Sequence, residues 1–289
     1  VRRDHIDLFY GPTDIVPLGL TCPSVCAFRN PNIYVPIPEM AAGDRMRLTA
    51  LRGLAIGSAQ RCRRAIFVSG AARDEIAPVL RLDPAKARVI HHGLGRVFRD
   101  ALTGPRPWDR PYILTVSTQY EYKNTPRLIE AFARFVHGRG LPHGLVVVGA
   151  LVERPTATRI QETIARLGLG DVVRLAGEVG YPAVGAWYSH ASAFVFPSWR
   201  ETFGHPLLEA MAADLPIAAA DIPVMREIAA DAARYFDPRS VDAMGEAILQ
   251  ALYDPNRAAL IARGRERLSA FSWETSARRT LDVFSEAAG

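Results

Sequence analysis

The sequence predicts an α/β fold made of two Rossmann-like, doubly wound parallel-sheet domains, the first of them truncated. Three features carry that expectation. From Tyr112 onward, short apolar runs alternate with amphipathic stretches, as expected for strands covered on both faces by helices. A proline-rich segment, Gly104-Pro105-Arg106-Pro107-Trp108-Asp109-Arg110-Pro111, breaks both periodicities and reads as a linker. Before it the same alternation is present but amounts to about half a domain.

The first part, residues 1–105, is expected to hold strands at Ile6–Tyr10, Ser24–Phe28, Ala65–Val68 and Arg88–Ile90, with helices at Arg45–Arg63 and Ala71–Leu80. Asn30 to Pro38 is proline-rich and reads as a loop. The chain opens on Val1 and the charged run Arg2-Arg3-Asp4-His5, the kind of start expected inside a domain. The second part, residues 106–270, is expected to hold strands near Tyr112–Val116, Leu145–Val148, Val172–Leu175, Ala193–Phe196, Pro216–Ala219 and Arg234–Phe236. Helices are expected near Thr125–His137, Thr156–Leu167, Pro182–Ser189, Pro206–Ala213, Val224–Ala230, Val241–Tyr253 and Arg257–Ser269. Residues 271–289 close the chain with an amphipathic helix from Trp273.

Composition narrows the function. With 289 residues, half of them apolar and about a fifth charged, the chain can bury ample core. No apolar run reaches the roughly 18 residues of a membrane span. The cysteines Cys22, Cys26 and Cys62 form no paired framework, and the Cys22/Cys26 pair lacks the second pair a zinc site needs, so reduced thiols in the cytoplasm are expected. The net charge of +5 lies almost entirely before Pro105. There Arg45, Arg47, Arg52, Arg61, Arg63 and Arg64 crowd one predicted helix and its exit. This pattern fits a solvated helix face, or a peripheral contact with the anionic inner face of a membrane. No aromatic or motif pattern supports nucleic-acid binding.

The densest chemistry lies in Phe196-Pro197-Ser198-Trp199-Arg200-Glu201-Thr202-Phe203-Gly204-His205-Pro206-Leu207-Leu208-Glu209-Ala210-Met211. It reads as a strand end, a loop closed by glycine and a helix start. Such a start presents unpaired N–H groups and partial positive charge to a phosphate. Pro206 suits the first helical turn, and Gly204 permits close backbone approach. Glu209, one turn in, can accept hydrogen bonds from a ribose diol. Glu201, before the turn, faces whatever lies beyond the phosphates. The simpler readings are a solvated loop for Glu201 and a helix-face salt bridge for Glu209. Lys123 stands out because the chain has only one other lysine, Lys86; a compact ammonium suits a phosphate.

Glu201 to Glu209 resembles the E-x7-E element of the family 4 glycosyltransferases, the retaining group with a GT-B fold. Leu114-Thr115-Val116 with Lys123-Asn124 and Leu128-Ile129-Glu130-Ala131-Phe132 resembles the opening of that family's donor domain, and Phe271-Ser272-Trp273 its closing segment, whose helix crosses back to the first domain. The resemblance implies a metal-independent, retaining transfer from a GDP- or UDP-linked sugar to a glycan or lipid-linked acceptor, without a cofactor, as in polysaccharide biosynthesis. The acceptor side falls to the first domain. Lys123 and Glu201 become the catalytic residues. Glu209, Gly204, His205, Phe203, Thr202, Ser117 and Thr118 become donor-binding residues. The family's arginine after the first donor-domain strand is absent; Ser117-Thr118-Gln119 stands there. Its first-domain histidine is replaced by Arg29-Asn30, which become candidate sugar or phosphate contacts. Ser69 resembles a family serine at a strand end and also reads as a helix N-cap. No Asp-x-Asp or Gly-x-Gly-x-x-Gly after Val116 calls for a metal or NAD. The departures keep a second reading open: a nucleotide-sugar-binding module, or inactive remnant, without turnover.

Overall fold

The computed structural model describes residues 6–17, 19–34 and 42–289. The opening charged run and the end of the proline-rich stretch lie outside them. In chain order the elements are β1 (Phe9–Gly11), β2 (Ser24–Phe28), α1 (Pro31–Tyr34), α2 (Ala42–Arg61), β3 (Arg64–Phe67), α3 (Gly70–Leu80), β4 (Ala87–Val89), α4 (Arg96–Ala101), β5 (Tyr112–Val116), α5 (Thr125–Phe135), β6 (Gly144–Val148), α6 (Arg154–Arg166), β7 (Val173–Gly177), α7 (Tyr181–Ser189), β8 (Ala193–Phe196), α8 (His205–Ala212), β9 (Ile217–Ala220), α9 (Pro223–Ala229), β10 (Ala233–Phe236), α10 (Val241–Tyr253), α11 (Arg257–Leu268) and α12 (Trp273–Ala288). They form two compact units: residues 1–93, 201–203 and 271–289, and residues 94–200 with 204–270.

The first unit is built on four parallel strands in the order β1-β2-β3-β4. Alternate residues point to opposite faces. Val25, Ala27, Ile66 and Ile90 pack against Val283 and Ala287 of α12, while Phe28 stacks on Phe67 at 5.8 Å. The last turn of α12 is fastened to the sheet: Arg64 and Arg88 pair with Glu286 at 2.9 and 2.7 Å, and Arg63 Nη1 donates to the Ala287 carbonyl. Two arginines of the basic cluster, Arg63 and Arg64, thus serve the fold. Gly93 lies so close to the start of α12 that a Cβ there would sit 2.1 Å from the Trp273 nitrogen. Ser69 caps α3, accepting from Ala72 N at 2.9 Å. Burial pushes the thiols of Cys26 and Cys62 up, the latter to about 11, which leaves them inert at neutral pH.

The second unit holds a six-stranded, all-parallel sheet in the order β10-β9-β8-β5-β6-β7. The chain winds outward from β5 through β6 to β7, then returns to lay β8, β9 and β10 on the other side. Right-handed crossovers wound in opposite directions put helices on both faces. Ile113, Leu145, Val147, Ala193 and Val195 pack with Leu128, Phe132, Met244 and Ile248 from α5 and α10. The alternate residue Phe194 meets Tyr188 of α7.

Three local expectations change. One helical turn, α1, replaces the start of the expected loop from Asn30. The unexpected helix α4 belongs to the second unit, and with it residues 94–105. Its Phe98 is fully buried against Tyr188. Two glycines permit this contact: a Cβ at Gly104 would meet Ala186 at 2.8 Å, and one at Gly185 would meet Ala101 at 2.6 Å.

Candidate active site

In a doubly wound sheet, ligands bind beyond the carboxyl ends of the strands where the winding direction reverses. Here that place lies between the neighbours β5 and β8. The loop after β5 carries Ser117 to Asn124. The loop after β8 leads to α8.

The β5 loop is held from several sides. Ser117 N donates to Val148 O at 2.9 Å. Gly149, at φ 131°, approaches so closely that a Cβ would fall 1.9 Å from Ser117 O. The buried Gln119 amide donates to Ser117 O and Oγ and accepts from Thr125 Oγ1. Ser117 is half-buried with its hydroxyl engaged, whereas Thr118 is exposed. A single 3-10 turn, Glu121–Lys123, follows. It ends at Asn124 in the left-handed region (φ 62°), which asparagine tolerates. Asn124 Nδ2 donates to Pro197 O at 3.2 Å and Pro238 O at 2.7 Å, the exits of β8 and β10. Trp199 N donates to Tyr122 O at 3.0 Å. The Lys123 ammonium consequently lies 5.0 Å from the Tyr122 ring centroid and 5.8 Å from that of Phe196, within cation–π range.

Phe196 is also the neighbour of the α8 start. Gly204, the N-cap at φ 87°, has no side-chain cap, and a Cβ there would meet Phe196 Cε1 at 3.2 Å. His205 and Pro206 open the helix half-buried. The lysine and the helix terminus therefore share one aromatic floor at the switch point.

Glu209 is 6 % exposed among Leu207, Leu208, Ala210 and Met211. The expected alternative, a salt bridge, is not what the structure holds. Tyr188 donates its hydroxyl to Glu209 Oε2 at 2.7 Å; Tyr181, also on α7, lies on the same side and is half open to solvent. Burial pushes the Glu209 carboxyl above its usual range, and the two hydroxyls oppose that rise. Tyr181 is itself pushed up to about 12 by burial and by this carboxylate.

The remaining expected residues sit in the first unit. Residues 201–203 are counted with it. Thr202 Oγ1 donates to Arg29 O at 3.0 Å, and Ser69 Oγ donates to Thr202 O at 2.6 Å. Glu201 is thereby held at the exits of β2 and β3. The Phe203 side chain, 3 % exposed, packs against His91, His92 and Phe271. It is a packing residue, and its side chain offers no open face. Arg29 and Asn30 present exposed side chains. Their backbone N–H groups both donate to Asp14 Oδ1, at 3.0 and 3.3 Å. Asp14 also accepts from Tyr34 Oη at 2.6 Å. Burial raises its carboxyl, against those three bonds.

The sequence reading missed Asp14, Gln119, Asn124, Tyr181 and Tyr188. A polar residue before Thr125-Pro126 signals a helix start, so Asn124 was within reach. A carboxylate in Leu-Leu-Glu-Ala-Met demands buried partners, but nothing local names tyrosines 21 and 28 residues away. Among the described residues, no three His, Cys, Asp or Glu side chains converge as a metal site, and no helix is long and apolar enough to cross a membrane.

The family model for glycosyl transferases group 1 matches residues 103–267. The chain is 27 % identical to O-antigen chain mannosyltransferase B of Escherichia coli, over 98 % of this chain and 75 % of that protein. It is 28 % identical to a D-inositol 3-phosphate glycosyltransferase of Thermobispora bispora, over 99 % of this chain and 54 % of that one. Against O-antigen chain mannosyltransferase RfbU of Salmonella typhimurium it is 30 % identical, over 63 % and 48 %. The chain thus spans three quarters of the first relative and about half of the other two. Among solved structures, a glycosyltransferase from Rickettsia africae matches with a TM-score of 0.76 at 15 % identity, over 99 % of this chain and 78 % of that one. Anabaena HepE in complex with UDP-glucose matches at 0.74 and 18 %, over 92 % and 72 %. These likenesses establish the fold, an α/β architecture of the GT-B type.

Proposed function

The chain belongs to the glycosyl transferases group 1 family, and from that premise we propose that it moves a sugar from a nucleotide-sugar donor to a glycan or lipid-linked acceptor, with retention and without a metal. The observation that carries the proposal is the shared floor of Phe196, with the Lys123 ammonium over its ring and the Gly204 start of α8 against its edge. A diphosphate docked there meets a point cation and helix N–H groups together. Both strengthen as the leaving group gains charge, and such preorganised donors usually supply the largest share of catalysis.

The other roles follow from chemistry and position. Glu209 accepts hydrogen bonds from the ribose of a GDP or UDP donor. Glu201 accepts them from donor-sugar hydroxyls, with His205 four residues further on. Ser117 and Thr118 add neutral, weaker contacts to a phosphate. Arg29 and Asn30 are exposed cationic and amide donors for a sugar or phosphate on the first unit. UDP-glucose in the HepE structure and mannosyl transfer in the relatives' names support a hexose donor, and the O-antigen relatives support a role in polysaccharide assembly. Work in the cytoplasm, beside the inner membrane face, would rest on Arg45, Arg47, Arg52 and Arg61 of α2.

Calorimetry with UDP and GDP tests the reading. Lys123→Ala should weaken binding and lower kcat by about a hundred-fold, the size of one lost transition-state donor. Glu209→Ala should abolish binding. Unchanged affinity in both overturns it. One departure favours the second reading, a binding module without turnover: Ser117-Thr118-Gln119 supplies no cation beside Lys123. Transfer or donor hydrolysis by the purified chain eliminates that reading.

A further inference from the structure

A backbone peptide unit offers one N–H and one C=O, and bonding both fixes the orientation of its plane. The unit that joins Arg29 to Asn30, just beyond β2, is bonded at both ends by side chains. Its Asn30 N–H donates to Asp14 Oδ1 at 3.3 Å, and its Arg29 carbonyl accepts from Thr202 Oγ1 at 3.0 Å. The preceding N–H, that of Arg29, donates to the same Asp14 oxygen at 3.0 Å. Asp14 is 3 % exposed and is itself held. Tyr34 Oη donates to Oδ1 at 2.6 Å, and the Asp14 N–H donates to Ala27 O at 2.7 Å. At the far end Thr202 is held twice, because Ser69 Oγ, which caps α3, donates to its carbonyl at 2.6 Å. All these residues belong to the first unit.

Glu201 is joined to Thr202 directly, so the place of its backbone follows from where Thr202 is held. A carboxylate removed from water needs donors, and three converge on one oxygen of Asp14. The Asp14 backbone lies in the left-handed region (φ 60°), which aspartate and asparagine tolerate. We propose that Asp14 is a positioning residue for Glu201: its buried carboxylate clamps the Arg29–Asn30 peptide, and the carbonyl of that peptide holds Thr202, and with it the neighbouring Glu201, in place. The proposal rests on the reading of Glu201 as a contact of the donor sugar. Charge at one end strengthens the bond at the other, since an N–H that donates to a carboxylate polarises the C=O of its own peptide. Asp14 thus acts on Glu201 through a backbone unit and touches no substrate itself.

The test measures kcat on UDP- and GDP-hexoses, and the affinity of UDP and GDP by calorimetry, on the full chain. Urea midpoints report the folding of each variant. Asp14→Gly removes the clamp without backbone strain, and Asp14→Asn keeps both an acceptor and the left-handed turn. Asp14→Gly should lower kcat by about ten-fold or more, the order expected when a reacting group is misplaced, with nucleotide affinity unchanged. Asp14→Asn should restore most of that turnover. The double variant Asp14→Gly with Thr202→Val should turn over no more slowly than the slower single one, because both changes break one relay. Losses that multiply, an unchanged kcat in Asp14→Gly, or an equal fall in kcat and nucleotide affinity each overturn the proposal. Glu201→Ala separates the two readings. Full turnover in that variant removes Glu201 as a sugar contact, whereas lost turnover there with normal turnover in Asp14→Gly removes only the relay. A second measurement needs no turnover: amide exchange followed by NMR on Thr202→Val. That substitution leaves both bonds to Asp14 in place, yet the Asn30 amide should exchange about ten-fold faster, because its peptide has lost its other hold. Unchanged exchange at Asn30 overturns the proposal, whether or not Asp14→Gly folds.

Discussion

Asn124 offers the sharpest test of how the β5 loop is built. The residue is 1 % exposed. Its amide nitrogen satisfies two carbonyls, Pro197 O and Pro238 O, and its Oδ1 accepts from Arg127 Nη1 at 3.0 Å. Its φ of 62° puts the backbone in the left-handed region. Two separable terms follow. Removing the side chain leaves two buried carbonyls without their donor, at ~1–3 kcal/mol each, or about 2–6 kcal/mol together. Forcing alanine into the left-handed region adds about 1–2 kcal/mol, which glycine avoids.

Asn124→Gly should therefore lose about 2–6 kcal/mol, and Asn124→Ala should lose about 1–2 kcal/mol more. Urea unfolding followed by tryptophan fluorescence reads this well. Trp108, Trp187 and Trp199 lie in the unit that contains Asn124, and Trp273 in the other. The midpoint should fall without a change in slope. Folded Asn124→Gly should also bind nucleotide more weakly, because the turn that presents Lys123 has lost its tie to the β8 and β10 exits. Equal stability of the alanine and glycine variants would refute the backbone argument. A loss under about 1 kcal/mol in both would refute the hydrogen-bond argument.

Further outcomes follow from the same structure. Burial raises the Glu209 and Asp14 carboxyls above their unfolded values. The folded state thus holds those protons more tightly, and the stabilisation is fully present below the unfolded pKa and fades as pH rises through the folded one. Glu209→Gln should flatten the Glu209 share of that slope in urea midpoints, and at neutral pH should be at least as stable as wild type while losing nucleotide binding. Gly245→Ala would place a Cβ 2.1 Å from Phe135 Cδ2 between α10 and α5, and should cost about 1–3 kcal/mol by overpacking. Gly93→Ala would drive a Cβ against the Trp273 backbone. It should speed amide exchange along α12 and leave β5–β10 protected, so uniform exchange would count against it. Thr202→Val removes the bond to Arg29 O and should lower kcat with nucleotide affinity unchanged, with Thr202→Ser restoring turnover.

What the chain revealed before folding depended on how local each cause was. β2, β5 and β8 coincide with their expected spans because Ser-Val-Cys-Ala-Phe, Tyr-Ile-Leu-Thr-Val and Ala-Phe-Val-Phe are apolar runs flanked by breakers, and strands buried on both faces need little more. The helix start at Gly204 was legible for a similar reason, since a glycine before His-Pro announces it, and spacing puts Glu201 before the turn and Glu209 within the helix. The misjudged pieces had distant causes. Residues 94–103 fall in the first part of the sequence with no helix expected, because Arg96–Ala101 is short and weakly patterned; the reason it is a helix is Phe98, buried against a tyrosine 90 residues away. The motif names Thr202 and Phe203 as donor contacts but says nothing of the bonds and packing they make with Arg29, Ser69 and Phe271, contributed by three separate stretches of chain.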